Sequence, residues 1–131
     1  MKKAAKAWLK AAKDDLDVID KIIDVAHLSH MVAFHAQQCI EKTFKAFMEE
    51  NDIDTPKIHN LVTLFGRIEG IVAVTTDVRM LKTLDGLYID ARYPGDLGLM
   101  PDGKPSRQEA QSFYSFAKDI YETFQSNLSS S

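Results

Sequence analysis

The chain has 131 residues, 45% of them apolar and 27% charged, the profile of one globular domain with a single hydrophobic core. Its formal net charge of −3 argues against a dedicated non-specific nucleic-acid binder, which carries a basic surplus. The lone cysteine, Cys39, excludes an intrachain disulfide and points to a reducing cytoplasm, and no apolar run reaches membrane-spanning length or reads as a secretory signal.

The first predicted helix runs from Lys3 to Ala26, with Trp8, Ala12, Leu16, Ile19, Ile23 and Ala26 in one apolar stripe. Lysines crowd its front and aspartates its back, an order that opposes the helix dipole. A turn is placed over Ala26–His30, because one straight helix of that combined length could not bury its own stripe. The second helix covers Ser29–Glu50, with Ala33, Gln37, Ile40, Phe44 and Phe47 on one face, and breaker residues from Asn51 to Pro56 end it. A short third helix starts at Asn60, a good N-cap, and carries Leu61, Leu64, Phe65 and Ile68. The fourth follows Asp77 with Val78, Leu81, Leu84, Leu87, Tyr88 and Ala91, and Pro94 and Gly95 stop it. The segment 95–105, rich in Gly and Pro, reads as a loop. Ser106-Arg107-Gln108-Glu109 is a capping box that opens the last helix, with Ala110, Phe113, Ala117, Ile120 and Phe124 along it. The expected fold is all-α: an up-and-down bundle of four long helices plus one short helix over residues 1–126, with a frayed tail at 127–131.

Three places could carry chemistry. On the second helix His35, Gln38, Lys42 and Lys45 share one side, flanked by Gln37 and Glu41. This is either a solvated face or a groove in which His35 and Gln38 hydrogen-bond a ligand or partner. His59, just before the third helix, is either local capping chemistry or an anion-contacting histidine at a helix start. Tyr88-Ile89-Asp90-Ala91-Arg92-Tyr93-Pro94 leaves an arginine between two tyrosines at a helix end, and the planar guanidinium fork suits phosphate or carboxylate. His27 with His30, and His35 with Cys39, have chelating spacings, but the ligand set is incomplete and no metal or other cofactor is expected. No P-loop, nucleophile elbow or Rossmann glycine pattern is present.

The string Ala33-Phe34-His35-Ala36-Gln37-Gln38-Cys39-Ile40-Glu41-Lys42 resembles the second-helix signature of HEPN domains. His59-Asn60-Leu61 resembles the family's His-Asp-Leu at the start of its third helix, and Tyr88 through Pro94 its Tyr-x-x-Ala-Arg-Tyr-Pro ending of the fourth. The resemblance spans about Ala7 to Phe124. It implies a helical bundle that forms homodimers and pairs with a minimal nucleotidyltransferase, frequently as a toxin–antitoxin couple. Many members are RNases whose site is an arginine, then four to six residues, then a histidine. This chain departs from that pattern: no histidine follows Arg92, and Arg67, Arg79 and Arg107 also lack one.

The leading expectation is therefore a non-catalytic, dimeric HEPN-like binding module that engages a nucleotidyltransferase partner and a nucleotide or RNA. Arg92 contacts phosphate or a partner carboxylate in this scheme, Tyr88, Tyr93 and His59 line the same groove, and His35, Gln38 and Lys42 lie across from them. The alternatives are a divergent metal-independent RNase toxin, and a purely structural bundle in which Arg92 and the tyrosines clamp the following loop.

Overall fold

The computed structural model describes residues 1–92 and 103–129, with side chains at all of these except 91 and 92. The described residues form five α-helices: α1 (Lys3–Ile22), α2 (Ser29–Glu50), α3 (Leu61–Ile68), α4 (Val78–Arg92) and α5 (Arg107–Ser129). The expected all-α bundle of four long helices and one short one is what forms, and no strand occurs among the described residues. No helix there is long and apolar enough to cross a membrane. Tyr93, Pro94 and most of the expected 95–105 loop lie outside the described residues.

Local signals explain most boundaries. α1 stops at Ile22, four residues before its expected end, and a single 3₁₀ turn over Ala26–Leu28 carries the chain into α2. α2 ends in a left-handed cap: Asp52 takes φ 56°, and the Ile53 amide donates back to the Met48 carbonyl at 2.9 Å. The Asn60 side chain caps α3 by accepting the Thr63 amide at 2.8 Å. At the start of α5 the capping box is complete, with Ser106 N donating to Glu109 Oε1 at 2.9 Å and Glu109 N to Ser106 Oγ at 3.0 Å. α5 continues to Ser129, past the point where fraying is expected, because Leu128 is buried in the core.

α2 is the axis of the bundle. α1 and α5 pack along it, and α3 and α4 close on its remaining side. Phe44 of α2 is fully buried, with ring centroids 5.7 Å from Phe65 and 5.4 Å from Phe124. Ile40, Met48, Leu61, Leu64, Ile68, Leu81 and Leu84 surround this cluster, and each such side chain contributes about 1.5–3 kcal/mol on burial. A helix contacted on so many sides has little surface left for water. Gln37, Glu41, Thr43 and Lys45 are accordingly buried, and the polar side of α2 is not a solvated face. Buried polar groups need partners, and their partners build the candidate site.

Candidate functional site

The segment that enters α3 is held from two helices at once. From α2, Gln37 Nε2 donates to the His59 carbonyl at 2.7 Å. From α4, the Asp85 carboxylate accepts the Leu61 amide at 2.9 Å and the Val62 amide at 3.3 Å. These are free donors of the first turn of α3, where a negative group is favoured by the helix dipole. Burial pushes the Asp85 carboxyl above its ordinary value, and the two amide bonds offset part of that. His59 is therefore not a cap; Asn60 and Asp85 do that work, and the His59 ring is free for something else.

That ring meets Glu41. His59 Nδ1 lies 3.1 and 3.2 Å from the two Glu41 oxygens, while Lys45 Nζ donates to Glu41 Oε2 at 3.0 Å. Gln38 joins the network, donating to Gln37 Oε1 at 2.8 Å and to Glu41 Oε1 at 3.4 Å. The Lys45 ammonium also sits 5.5 Å from the centroid of Trp8. Glu41 and Lys45 are each 6% exposed at the side chain, whereas His59 is 55% exposed. With a carboxylate as its partner, Nδ1 is the donor, and Nε2 is the ring nitrogen left for another contact.

An aromatic stack backs the histidine. The His59 ring is 5.6 Å from Tyr88, and Tyr88 stacks on Phe34 at 5.4 Å with an 18° interplanar angle. Tyr88 is only 5% exposed, so its ring is a wall behind His59 and not a free platform. Position 92 follows Tyr88 by four residues, on the same face of α4 as 85 and 88 by helical register. The Arg92 side chain and all of Tyr93 lie outside the described residues.

The other two residues expected in the groove go elsewhere. His35 Nδ1 and Lys42 Nζ converge on Asp15 of α1, at 2.9 and 2.8 Å from its two oxygens. Asp15 is 6% exposed. The structure thus joins His59, Tyr88 and Gln38 at one corner, and gathers His35 and Lys42 into a separate α1–α2 lock. Phe34 lies between the two, stacked on Tyr88 and meeting the His35 ring edge-on at 5.3 Å. Sequence reasoning missed Asp15 and Asp85 and treated Glu41 as a flank. The available signal was an aspartate inside an apolar helix stripe, between Ala12 and Ile19 in one case and between Leu81 and Tyr88 in the other.

Cys39 is buried beside the lock. Burial pushes its thiol up to about 12, and the Asp15 charge acts in the same direction. A thiol with a raised folded value contributes stability that is fully present below its unfolded value and lost as pH rises toward the folded one. The protein should therefore lose stability from about pH 9 upward, where the unfolded thiol ionises and the folded one does not. An aromatic disulfide reagent at pH 8 should label Cys39 only as fast as the chain opens. Labelling within seconds under native conditions would contradict this burial. Among the described residues no group of three or more His, Cys, Asp or Glu side chains is placed to hold a metal ion.

A helical bundle built on one polar-cored axial helix, with a carboxylate-held histidine at the α2–α3–α4 corner, defines the class. The model of the HEPN domain matches residues 5–127, and the chain belongs to the HEPN family. Among solved structures it is similar to an archaeal HEPN homologue, ST0689, with 19% identity over 98% of this chain and 99% of that one and a TM-score of 0.64. At that identity the likeness speaks for the fold alone. No curated protein matches the chain.

Proposed function

We propose that this HEPN protein is a non-catalytic binding module, a homodimer that engages a minimal nucleotidyltransferase partner in a toxin–antitoxin-type pair. In this reading the His59 corner takes a nucleotide phosphate or a partner carboxylate, with Arg92 and Tyr93 completing it and Gln38 behind it. The observation that carries the reading is the His59 ring: held at Nδ1 by buried Glu41, backed by Tyr88, and more than half exposed. A half-exposed side chain with its orientation set by a buried network is pre-organised for a ligand, because little freedom is left to lose on binding. When protonated, its Nε2 is a charge-assisted donor to an anion, and helix register sets position 92 on the same face of α4 as Tyr88.

Calorimetric titration with ATP, GTP and a short single-stranded RNA tests the ligand half of this reading. The expected result is binding that His59→Ala and Arg92→Ala each weaken by about tenfold or more, in line with roughly 1.5–3 kcal/mol for a hydrogen bond to a charged group. Heat signals absent for all three ligands, with no nucleotidyltransferase co-purifying from the native host, would sink it.

A second reading rests on the same pair. A carboxylate-oriented imidazole with a free Nε2 can take a proton from a ribose 2′-hydroxyl, as a metal-independent RNase requires. Against it, the family's arginine-to-histidine spacing is missing after Arg92. RNA cleavage by the purified chain that disappears in His59→Ala would favour this reading over the first.

A further inference from the structure

Among the described residues nothing packs on the outer face of α1, and the charges on that face are sorted along its length. α1 packs inward through Ala5, Leu9, Ala12, Leu16 and Ile19. On the outside, positions 3, 6, 10, 13, 17 and 20 advance in alternating steps of three and four, which lays them along one stripe of the helix. All six side chains are exposed. The first four are Lys3, Lys6, Lys10 and Lys13, and the last two are Asp17 and Asp20. Asp14 lies beside the change of sign, Asp24 lies just past the helix end, and Lys21 is the exception in the acidic half.

This order is unfavourable for the helix by itself. Lysines occupy the positive end of its dipole, and no acidic residue stands in its first turn. Neither does the rest of the chain neutralise the stripe. Lys13 pairs with Asp17 at 2.6 Å, Lys2 with Asp52, and Asp24 with Arg107, but Lys3, Lys6, Lys10, Asp14 and Asp20 make no ion pair among the described residues. A polyanion laid along α1 would meet aspartates as soon as it passed Lys13. A second α1 laid parallel would set lysine against lysine. A second α1 laid antiparallel meets the opposite charge at both ends.

We infer that this face docks a second copy of the chain, α1 against α1 in antiparallel register about a two-fold axis near Lys13 and Asp14. In a two-fold contact each pairing occurs twice, so Lys10 of one copy opposes Asp17 of the other, Lys6 opposes Asp20, and the reverse pairs repeat across the axis. Ala7, four residues after Lys3 and three before Lys10, borders the stripe and is exposed and small, which lets the two backbones approach. Because the recognition is by exposed charge, association is sensitive to salt. The inference rests on the dimeric part of the proposed function and not on its ligand.

The test is the mass of the full chain in solution, by light scattering and sedimentation equilibrium, for wild type and two charge-reversed variants. Lys6→Glu/Lys10→Glu makes the stripe acidic, and Asp17→Lys/Asp20→Lys makes it basic. All four positions are exposed, so folding is not at stake, and circular dichroism checks it. The expected result is a wild-type dimer whose dissociation constant rises about tenfold or more as the screening length falls from about 10 Å at 0.1 M salt to about 3 Å at 1 M. Each variant alone is then monomeric where wild type is dimeric, and an equimolar mixture of the two forms a one-to-one dimer. A wild-type dimer indifferent to both reversals overturns this surface while leaving the dimeric reading intact. A wild-type monomer at every concentration overturns both. If Lys6→Glu/Lys10→Glu leaves the mass unchanged and removes binding of a single-stranded RNA, the stripe is an RNA surface and the inference falls.

Discussion

Replacing Glu41 with alanine should lower the stability of the protein by roughly 3–5 kcal/mol, the cost of leaving a buried charge without its counter-charge. The Lys45 side chain is 6% exposed, and Glu41 Oε2 is its one ion-pair partner among the described residues, 3.0 Å away. The Trp8 ring at 5.5 Å adds a cation–π contact of about 0.5–2 kcal/mol, too little to hold an ammonium ion out of water by itself. Against a total of about 5–15 kcal/mol for a domain of this kind, the loss is a large share of what keeps it folded. Urea unfolding of wild type and Glu41→Ala measures it from the shift in midpoint at constant slope. A loss below about 1 kcal/mol would mean that Lys45 reaches water and that the pair is not buried as described.

The pairing also predicts how the damage can be repaired. Removing both charges with Glu41→Gln and Lys45→Met should restore much of the stability, since a buried ion pair replaced by groups of similar volume is often neutral. It should not restore the His59 corner. A glutamine side chain offers one oxygen where the carboxylate offers two, and both Glu41 oxygens lie within 3.2 Å of His59 Nδ1. The double variant thus separates two jobs that one carboxylate does: it recovers the melt while the ligand affinity of the His59 corner stays low.

How much of this could be read in the sequence differs between backbone and side-chain networks. The span of α2 from Ser29 to Glu50, the N-cap at Asn60 and the box at Ser106–Glu109 were all legible, because each depends on residues within a few positions of one another. The polar side of α2 was not. Its meaning depends on α2 being the axis of the bundle, and periodicity reports that a helix has a polar side without reporting what faces it. His35 finds Asp15 twenty residues away and His59 finds Glu41 eighteen away, pairings that only tertiary packing creates. The resemblance of Ala33–Lys42 to a family signature pointed to the right helix, yet it did not separate the His35–Lys42 lock from the Gln38–His59 corner. Sequence reasoning gave His59 a capping role as one option. The structure gives that role to Asp85, whose position midway along α4 looks from the sequence like an interruption of an apolar stripe.

Asp85→Ala should be the other costly substitution, at roughly 2–4 kcal/mol. It frees the amides of Leu61 and Val62 at once, and each unsatisfied buried donor costs about 1–3 kcal/mol, with Leu61 fully buried and Val62 partly so. The lost negative charge at the start of α3 adds about 0.3–1 kcal/mol through the dipole. Asp85→Asn should cost less, because one oxygen still accepts, but its amide group turns a donor toward a donor. The pH dependence separates charge from hydrogen bonding. Burial raises the Asp85 carboxyl above its ordinary value, so in the window between the two values the folded state binds more proton than the unfolded one. Stability contributed by Asp85 is then fully present on the acid side and declines as pH rises through the folded value. The gap between wild type and Asp85→Asn should therefore be wider at acid pH than at pH 7, and level once the carboxyl is fully ionised. Paired denaturant melts across that range read it directly. A gap that widens with rising pH would mean that the two amides and the dipole outweigh burial, and that Asp85 is held as a stabilised anion. The local consequence follows either way: without Asp85 the first turn of α3 loosens, and the His59 backbone, still held from the other side by Gln37 at 2.7 Å, loses part of the rigid mount that fixes its ring against Glu41 and Tyr88.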